Sequence, residues 1–418
     1  MHSHNAHIDL TQMETFGAFT GGLTKKALIV GVVSLVISVL LAGGFQVVFG
    51  SKPGDAGALS YLSHAYLMNF WFFLSISLGA LFFTALQHAT RSSWSVVIRR
   101  LFEVLAQGTF PLAVLFLPIL FSVWSGDSTL YEWNDSARVA TDAVLSKKAV
   151  YLNSGFFAIR CLIYFVAWTL LSRWFLLQSA RQDENGSPVI SQNMERMAAF
   201  AIPVFALTLT FAAFDWLMSL DAKWFSTMWG VYMFAGSAIA FCATISILTV
   251  YLRSTGKFEG VITVEHQHEI GRAMYFALCF WGYIAFSQYL LYWYANIPEE
   301  TIWYRHRQEN GWQYISLIQI WGHFALPFLM IMSRNVKRTP KFLAFWATYM
   351  LLMHWIDIFW LVMPEYSYDT VQFSPLLLTT FIGIGGVWIA GIAFIAQNYR
   401  ILAFNDPRIQ ESLDFQNL

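Results

Sequence analysis

The stretch KFLAFWATYMLLMHWIDIFWLVM, residues 341–363, decides what kind of protein this is. Beyond Lys341 and the tyrosine, its only ionisable side chains are His354 and Asp357. A helix needs roughly 20 predominantly apolar residues to cross the hydrocarbon core of a bilayer, and this run supplies them. Inside lipid every backbone N–H and C=O must be satisfied within the segment, so the run is read as a membrane-spanning α-helix. A charged group near the bilayer centre costs about 2.5–3.5 kcal/mol on insertion scales, so the imidazole and the carboxylate each call for an explanation.

Outward from this run, nine further stretches meet the same criterion: 27–49, 65–88, 98–121, 149–177, 196–219, 227–252, 270–296, 311–333 and 375–402. The composition agrees. The 418 residues are 57% hydrophobic and 12% charged, against about 25% charged in a soluble domain. The fold class expected is an all-α polytopic membrane protein of about ten transmembrane helices. The net charge is zero, which gives no electrostatic reason for a nucleic-acid partner, and none is expected. Membrane lipid is the expected surroundings. Cys161, Cys242 and Cys279 all fall in apolar runs and read as small buried hydrophobes. There is no CxxCH motif, and three cysteines are too few for the four thiolates of a usual iron–sulfur cluster. No covalently bound cofactor and no metal site is expected. The first 24 residues are polar and mixed, so the first apolar run reads as a span and not as a cleaved signal.

The connecting segments alternate in charge. Seventeen of the 25 Lys and Arg lie at the end that carries both termini, seven lie at the opposite end, and Arg160 lies inside the fourth run. That imbalance places both termini in the cytoplasm. The expected organisation is a cytoplasmic segment 1–26, a transmembrane domain 27–402 and a cytoplasmic tail 403–418. Trp124, Trp224, Trp293, Trp303 and Trp312 gather at the outer ends, as an interfacial belt would. The fifth run ends WLMSLD (216–221) and the ninth ends WLVMPE (360–365); the fourth and eighth both exit at Ser-Arg. This suggests two four-helix bundles in parallel repeat, helices 2–5 (about 65–219) and 6–9 (about 227–363), flanked by helices 1 and 10.

The polar residues inside the runs are the candidate functional groups. His354 and Asp357 are three apart and share a helical face; they read as a proton relay or as a packing pair. Arg160 needs a counter-charge or a wet cavity, and Asp215 or Asp357, at comparable depth, supplies the first. Asp215, the second residue of FDWLMSLDAKW (214–224), would then have a reason to sit in an apolar helix end: to neutralise Arg160. His323 has Gln319 one turn earlier on its face. Glu103, after Arg99 and Arg100, and His88, at the end of the second run, form the mouth of an inner half-channel or else snorkel to the interface. Ser287, Gln288 and Tyr292 add neutral polar groups. The histidines of MHSHNAH (1–7) and HQH (266–268) read as exposed, disordered segments rather than metal ligands. FIGIGGVWIAG (381–391) is either a docking surface or a close-packing face.

Two stretches, FDWLMSLDAKWFSTMWGVYMFAG (214–236) and QHATRSSWSVVIRRLFE (87–103), resemble the NrfD/PsrC-like membrane subunits of alternative complex III, a bacterial quinol:electron-acceptor oxidoreductase. The ten-span layout is similar over essentially the whole chain. The short termini look more like the ActF type, the second bundle subunit, than the ActC type that forms the quinol site. The resemblance implies a non-redox subunit of an oxidoreductase in the bacterial inner membrane, not catalytic alone. It implies partners that hold the redox centres: an NrfD-like quinol-binding subunit, an iron–sulfur protein and multihaem cytochromes c. A quinone or quinol is the small ligand it admits. The proton-relay candidates are then Arg160, Asp215, His323, His354, Asp357, Glu103 and His88. The alternatives are a quinol-binding subunit and a purely structural anchor.

Overall fold

A computed structural model describes residues 15–49 and 57–417. Among the described residues, ten helices are long and apolar enough to span a membrane: α1 (Leu23–Gly44), α2 (Ala58–Ala89), α3 (Val96–Trp124), α4 (Ser154–Asn185), α5 (Pro188–Leu220), α6 (Trp229–Ser254), α7 (Val264–Ala295), α8 (Trp312–Ile331), α9 (Pro340–Glu365) and α10 (Pro375–Ala396). The chain is an all-α polytopic membrane protein. Its outward faces are apolar; on α4, for example, Ile159, Leu162, Ile163 and Leu170 are exposed. Such faces suit lipid, where an exposed apolar side chain costs nothing.

Local chemistry explains where the helices start and stop. Asn153 caps α4 by accepting the Phe156 N–H at 2.9 Å, and Gly186 ends it in the left-handed region. Pro188 and Pro375 stand at helix starts, where a missing N–H is harmless. α3 is jointed, in three pieces, Val96–Ala106, Thr109–Leu115 and Leu117–Trp124, with Pro111 and Pro118 removing donors from the ladder. α8 carries a π-helical segment, Gln319–Ala325.

Two four-helix units result. In the first, α2 packs on α3 and α5, and α4 packs on α3 and α5; in the second, α6 packs on α7 and α9, and α8 packs on α7 and α9. The neighbour pattern of one unit therefore repeats in the other. The units meet through α2 against α6, with α5 against α6 and α2 against α9 as reciprocal pairs. α2 is central, 89% buried over its most apolar window. Gly79 allows the α2–α6 approach, since a Cβ there would lie 2.6 Å from Phe241 Cβ.

α1 and α10 form a flanking pair on the first unit. The glycines of 381–391 serve this packing. A Cβ at Gly386 would lie 2.7 Å from Gly31 Cα, and one at Gly391 would lie 2.7 Å from Pro111. The docking reading of this run is therefore set aside in favour of packing within the chain. The first and last described segments meet at one end of the molecule, called here the terminal end, where Phe16 N donates to Tyr399 O at 2.9 Å. Segment 403–417 is no free tail: Asp406 and Ser412 are buried in it. At the far end the tryptophan belt is only partly interfacial. Trp124 and Trp293 are exposed, but Trp224, Trp303 and Trp312 are buried, with Trp224 stacked on Trp303 at 4.5 Å.

Candidate functional site

In the first unit the ionisable groups fall into two clusters, one at each end. At the far end, Arg160 lies two turns into α4 and Asp215 in the last turn of α5. Arg160 Nε donates to Asp215 Oδ2 at 2.8 Å and Nη2 to Oδ1 at 3.0 Å. Nη1 donates to Tyr151 O at 2.9 Å, and the guanidinium lies 3.9 Å from the Tyr151 ring centroid. Tyr164 OH adds a third donor to Asp215 at 2.6 Å. Asp215 is fully buried and Arg160 nearly so. The bidentate fork satisfies both charges, which removes the heavy cost of a lone buried ion. Asp215, not Asp357, is the partner of Arg160.

Asp357 is in the second unit. Its carboxylate accepts Tyr232 OH of α6 at 2.5 Å and Trp281 Nε1 of α7 at 3.2 Å. It is 1% exposed, and among the described residues no cation pairs with it. Trp281 also stacks on the His323 ring, centroids 3.9 Å apart. His323 Nδ1 bonds Gln319 Oε1 at 2.9 Å across the π-helical segment, whose wider turn is a common mark of functional positions. His354 turns the other way, toward α2, where its Nε2 bonds Ser75 Oγ at 2.9 Å. Gly236 of α6 makes room for that ring, because a Cβ there would lie 2.8 Å from His354 Cε1.

The expected His354–Asp357 pair is therefore corrected. Residues three apart share a face, but here a phenol and an indole from other helices take the carboxylate, and a serine takes the imidazole. His323 Nε2, His354 Nδ1 and Gln319 Nε2 are buried without a hydrogen-bond partner among the described residues.

The third cluster lies at the terminal end of the first unit. Glu103 sits 3.6 Å from Arg99 Nε, 3.1 Å from Arg100 Nε and 3.9 Å from His88 Nε2. Arg99 also pairs with Asp406, and Arg100 Nη2 with Asp183 at 2.9 Å. His88, Arg99, Arg100 and Glu103 are at most 1% exposed, so none of them snorkels. Both Glu103 oxygens and both His88 nitrogens lack hydrogen-bond geometry to any partner among the described residues. His88 is held by stacking on Phe175, centroids 5.4 Å apart.

The seven candidates do not line one common interior. Arg160 with Asp215, the Asp357–His323–His354 group, and His88 with Glu103 are three separate places. In the first unit one face of α4 links two of them: Arg160, Tyr164, Trp168, Ser172 and Ser179 are all buried along it. Gln107 Nε2 donates to both Glu103 O and Ser172 O at 2.9 Å. Trp168 and Trp216, centroids 5.9 Å apart, then interrupt the polar steps with an aromatic layer. In the second unit, polar contacts continue outward from Asp357. Gln288 joins Ser226 and Tyr304 at 2.9 Å each.

The sequence reading missed several participants. Arg307 looks like a loop cation, yet it is fully buried, over the Trp303 ring at 3.4 Å and 3.2 Å from Glu365. It also donates to the Trp360 and Leu361 carbonyls that end α9. Burial pushes its pKa below the ordinary value, with the Glu365 charge working against that. Tyr164, Tyr232 and Trp281 were missed because aromatic residues are so common here that none stands out. Asp183 and Asp406 were missed because they lie outside the apolar runs. HQH is also corrected: it is the first turn of α7. Thr263 and His266 form a capping box there, and all three residues are buried. The MHSHNAH histidines lie outside the described residues. Among the described residues no three His, Cys, Asp or Glu are placed to hold a metal ion. The cysteines are free thiols.

No protein-family model matches the chain, and no curated protein matches it.

Proposed function

We propose that this chain is an integral subunit of a quinol:electron-acceptor oxidoreductase complex in the bacterial cytoplasmic membrane, with both termini cytoplasmic, and that it conducts protons coupled to quinol oxidation. The resemblance described above supports the complex, and the excess of Lys and Arg at the terminal end supports the orientation. One observation carries the proton role: Asp357 is buried in a membrane span with neutral donors only. A structural carboxylate is expected to have a counter-charge, as Asp215 has Arg160. Asp357 instead has only Tyr232 and Trp281 as donors, Trp281 stacks on His323, and His323 and His354 each keep a buried nitrogen without a partner among the described residues. Buried polar atoms of this kind are normally completed by ordered water.

In this reading protons exchange at Asp357, His323 and His354 in the second unit, and at Glu103 and His88 at the cytoplasmic end of the first. Arg160 and Asp215 form a fixed pair that biases the field and holds α4 to α5. Redox chemistry takes place on partner subunits, and a change of field or conformation there shifts the affinity of these groups for protons. Mild-detergent purification of the tagged chain from its native membrane tests membership of the complex. Co-elution of c-type haem and an iron–sulfur protein is expected; a chain that elutes alone contradicts it.

A second reading, a quinol-binding subunit, is favoured by one feature. An apolar groove of about 1240 Å³ runs between the α1–α10 pair and α6–α9, floored by Phe72 and Phe73. Phe72 separates it from His354, ring centroids 5.8 Å apart. Photolabelling of groove residues by a quinone analogue would favour this reading over the first.

A further inference from the structure

The segment after α10 crosses the terminal end of both units. Ile401, Leu402 and Ala403 are buried. Asn405 Nδ2 donates to Asp183 O at the end of α4, at 2.7 Å. Asp406 then pairs with Arg99 on α3. Ser412 Oγ donates to Trp94 O at 2.8 Å and accepts Val97 N–H at 3.3 Å, so it closes the first turn of α3. Ser412 O meets His266 Nε2 at 3.0 Å on α7, and Asn417 Nδ2 donates to Glu265 O at 3.2 Å. The path runs from α4 over α3 to α7, across the end of α3 that carries Arg99, Arg100 and Glu103. Ser95, just before α3, is fully buried, and its hydroxyl has no hydrogen-bond partner among the described residues.

Arg99 stands between two carboxylates. It makes a direct hydrogen bond to Asp406, but its approach to Glu103, at 3.6 Å, is outside hydrogen-bond geometry. Arg100 Nη2 bonds Asp183 and Ser179, while its Nε forms an ion pair with Glu103 at 3.1 Å without hydrogen-bond geometry.

We propose that residues 401–417 are a strap that closes the terminal end of the first unit, and that Asp406 is a positioning residue that holds Arg99 back from Glu103. With the strap seated, Glu103 has ion pairs to Arg99 and Arg100 but no hydrogen bond from either. With it released, that end opens and Arg99 turns fully to Glu103, adding direct hydrogen bonds that fix it as a carboxylate. The strap and its closure stand on contacts alone; the effect on proton exchange at Glu103 rests on the proposed function.

The test uses the full chain in membrane vesicles with the terminal end outward, carrying Ser95→Cys and exposed to a membrane-impermeant maleimide. In the otherwise intact chain this cysteine is expected to be protected. Ending the chain at Leu402, or introducing Asp406→Asn in the full-length chain, is expected to speed labelling about tenfold, as release of a locally docked segment does. If the truncated chain does not accumulate, the Asp406→Asn form decides alone. Equal labelling with and without these changes, fast or slow, overturns the strap. In the assembled complex, Asp406→Asn is expected to slow proton uptake severalfold and Asp406→Glu to restore it. Faster labelling with unchanged proton uptake, in a complex whose wild type takes up protons, overturns the positioning role and leaves the strap. A wild-type complex that takes up no protons overturns the proposed function, while the labelling result still decides the strap.

Discussion

The cost of a buried charge is the most informative quantity at the scale of single residues. Arg160 and Asp215 are deeply buried and mutually satisfied, so removing one partner leaves an isolated ion. Arg160→Met is expected to destabilise the protein by about 3–5 kcal/mol, and Arg160→Met with Asp215→Leu to recover most of it. Thermal unfolding in detergent checks both; equal loss in the single and double variants would show that the pair is not what matters. Asp406 gives a pH dependence. Burial raises its pKa, but the charge and hydrogen bond of Arg99, together with the Arg408 N–H and charge, outweigh this and hold the carboxyl below its ordinary range. A carboxylate whose folded pKa is depressed stabilises the folded form above the unfolded value, and that stabilisation fades as pH falls through the folded one. The strap is expected to resist proteolysis at neutral pH and to become cleavable only below about pH 4. Constant protection down to pH 3 would show that Asp406 does not anchor it. That Arg160 needs a buried carboxylate was legible in the sequence because each charge demands an explanation, but depth alone left Asp215 and Asp357 as alternatives. The fate of Asp357 was not legible, because its donors come from α6 and α7 and are aromatic side chains in a chain rich in them.

At the scale of elements, the spans were readable because hydropathy alone selects helices in lipid. Their interruptions were only partly readable. The joints of α3 have visible causes in Pro111 and Pro118, whereas nothing in GWQYISLIQIWGHFA (311–325) announces a π-helical segment. The start of α7 was missed because three polar residues of HQH resemble a loop; the signal lay in Thr263, whose capping box with His266 marks a helix N-terminus. Gly236 tests how tightly an element positions a functional side chain. Gly236→Ala would drive a methyl into the His354 ring, so His354 must leave Ser75 or α9 must shift. The expected result is a loss of about 1–3 kcal/mol from overpacking, and a second-site His354→Ala is expected to relieve it. No relief would mean that the alanine clashes elsewhere.

At the scale of the whole molecule, two four-helix units share one neighbour pattern but differ chemically. The first has ionisable clusters at both ends, separated by the Trp168–Trp216 layer; the second has, among the described residues, a buried carboxylate without a cation and two buried histidines, each with one unpartnered nitrogen. The matching helix ends at 216–221 and 360–365 hinted at the repeat, and both continue into 3₁₀ turns, Met218–Leu220 and Met363–Glu365. What the sequence could not convey is that the buried groups divide among three places, since a sequence gives the depth of each group and not its direction around the helix. The central claim is that Asp357 exchanges protons. Asp357→Asn keeps the shape and can still accept from Tyr232 or Trp281, so assembly and electron transfer are expected to persist. Proton translocation per electron, measured in proteoliposomes holding the assembled complex, is expected to fall in this variant. Unchanged proton stoichiometry at normal electron-transfer rates would contradict the account.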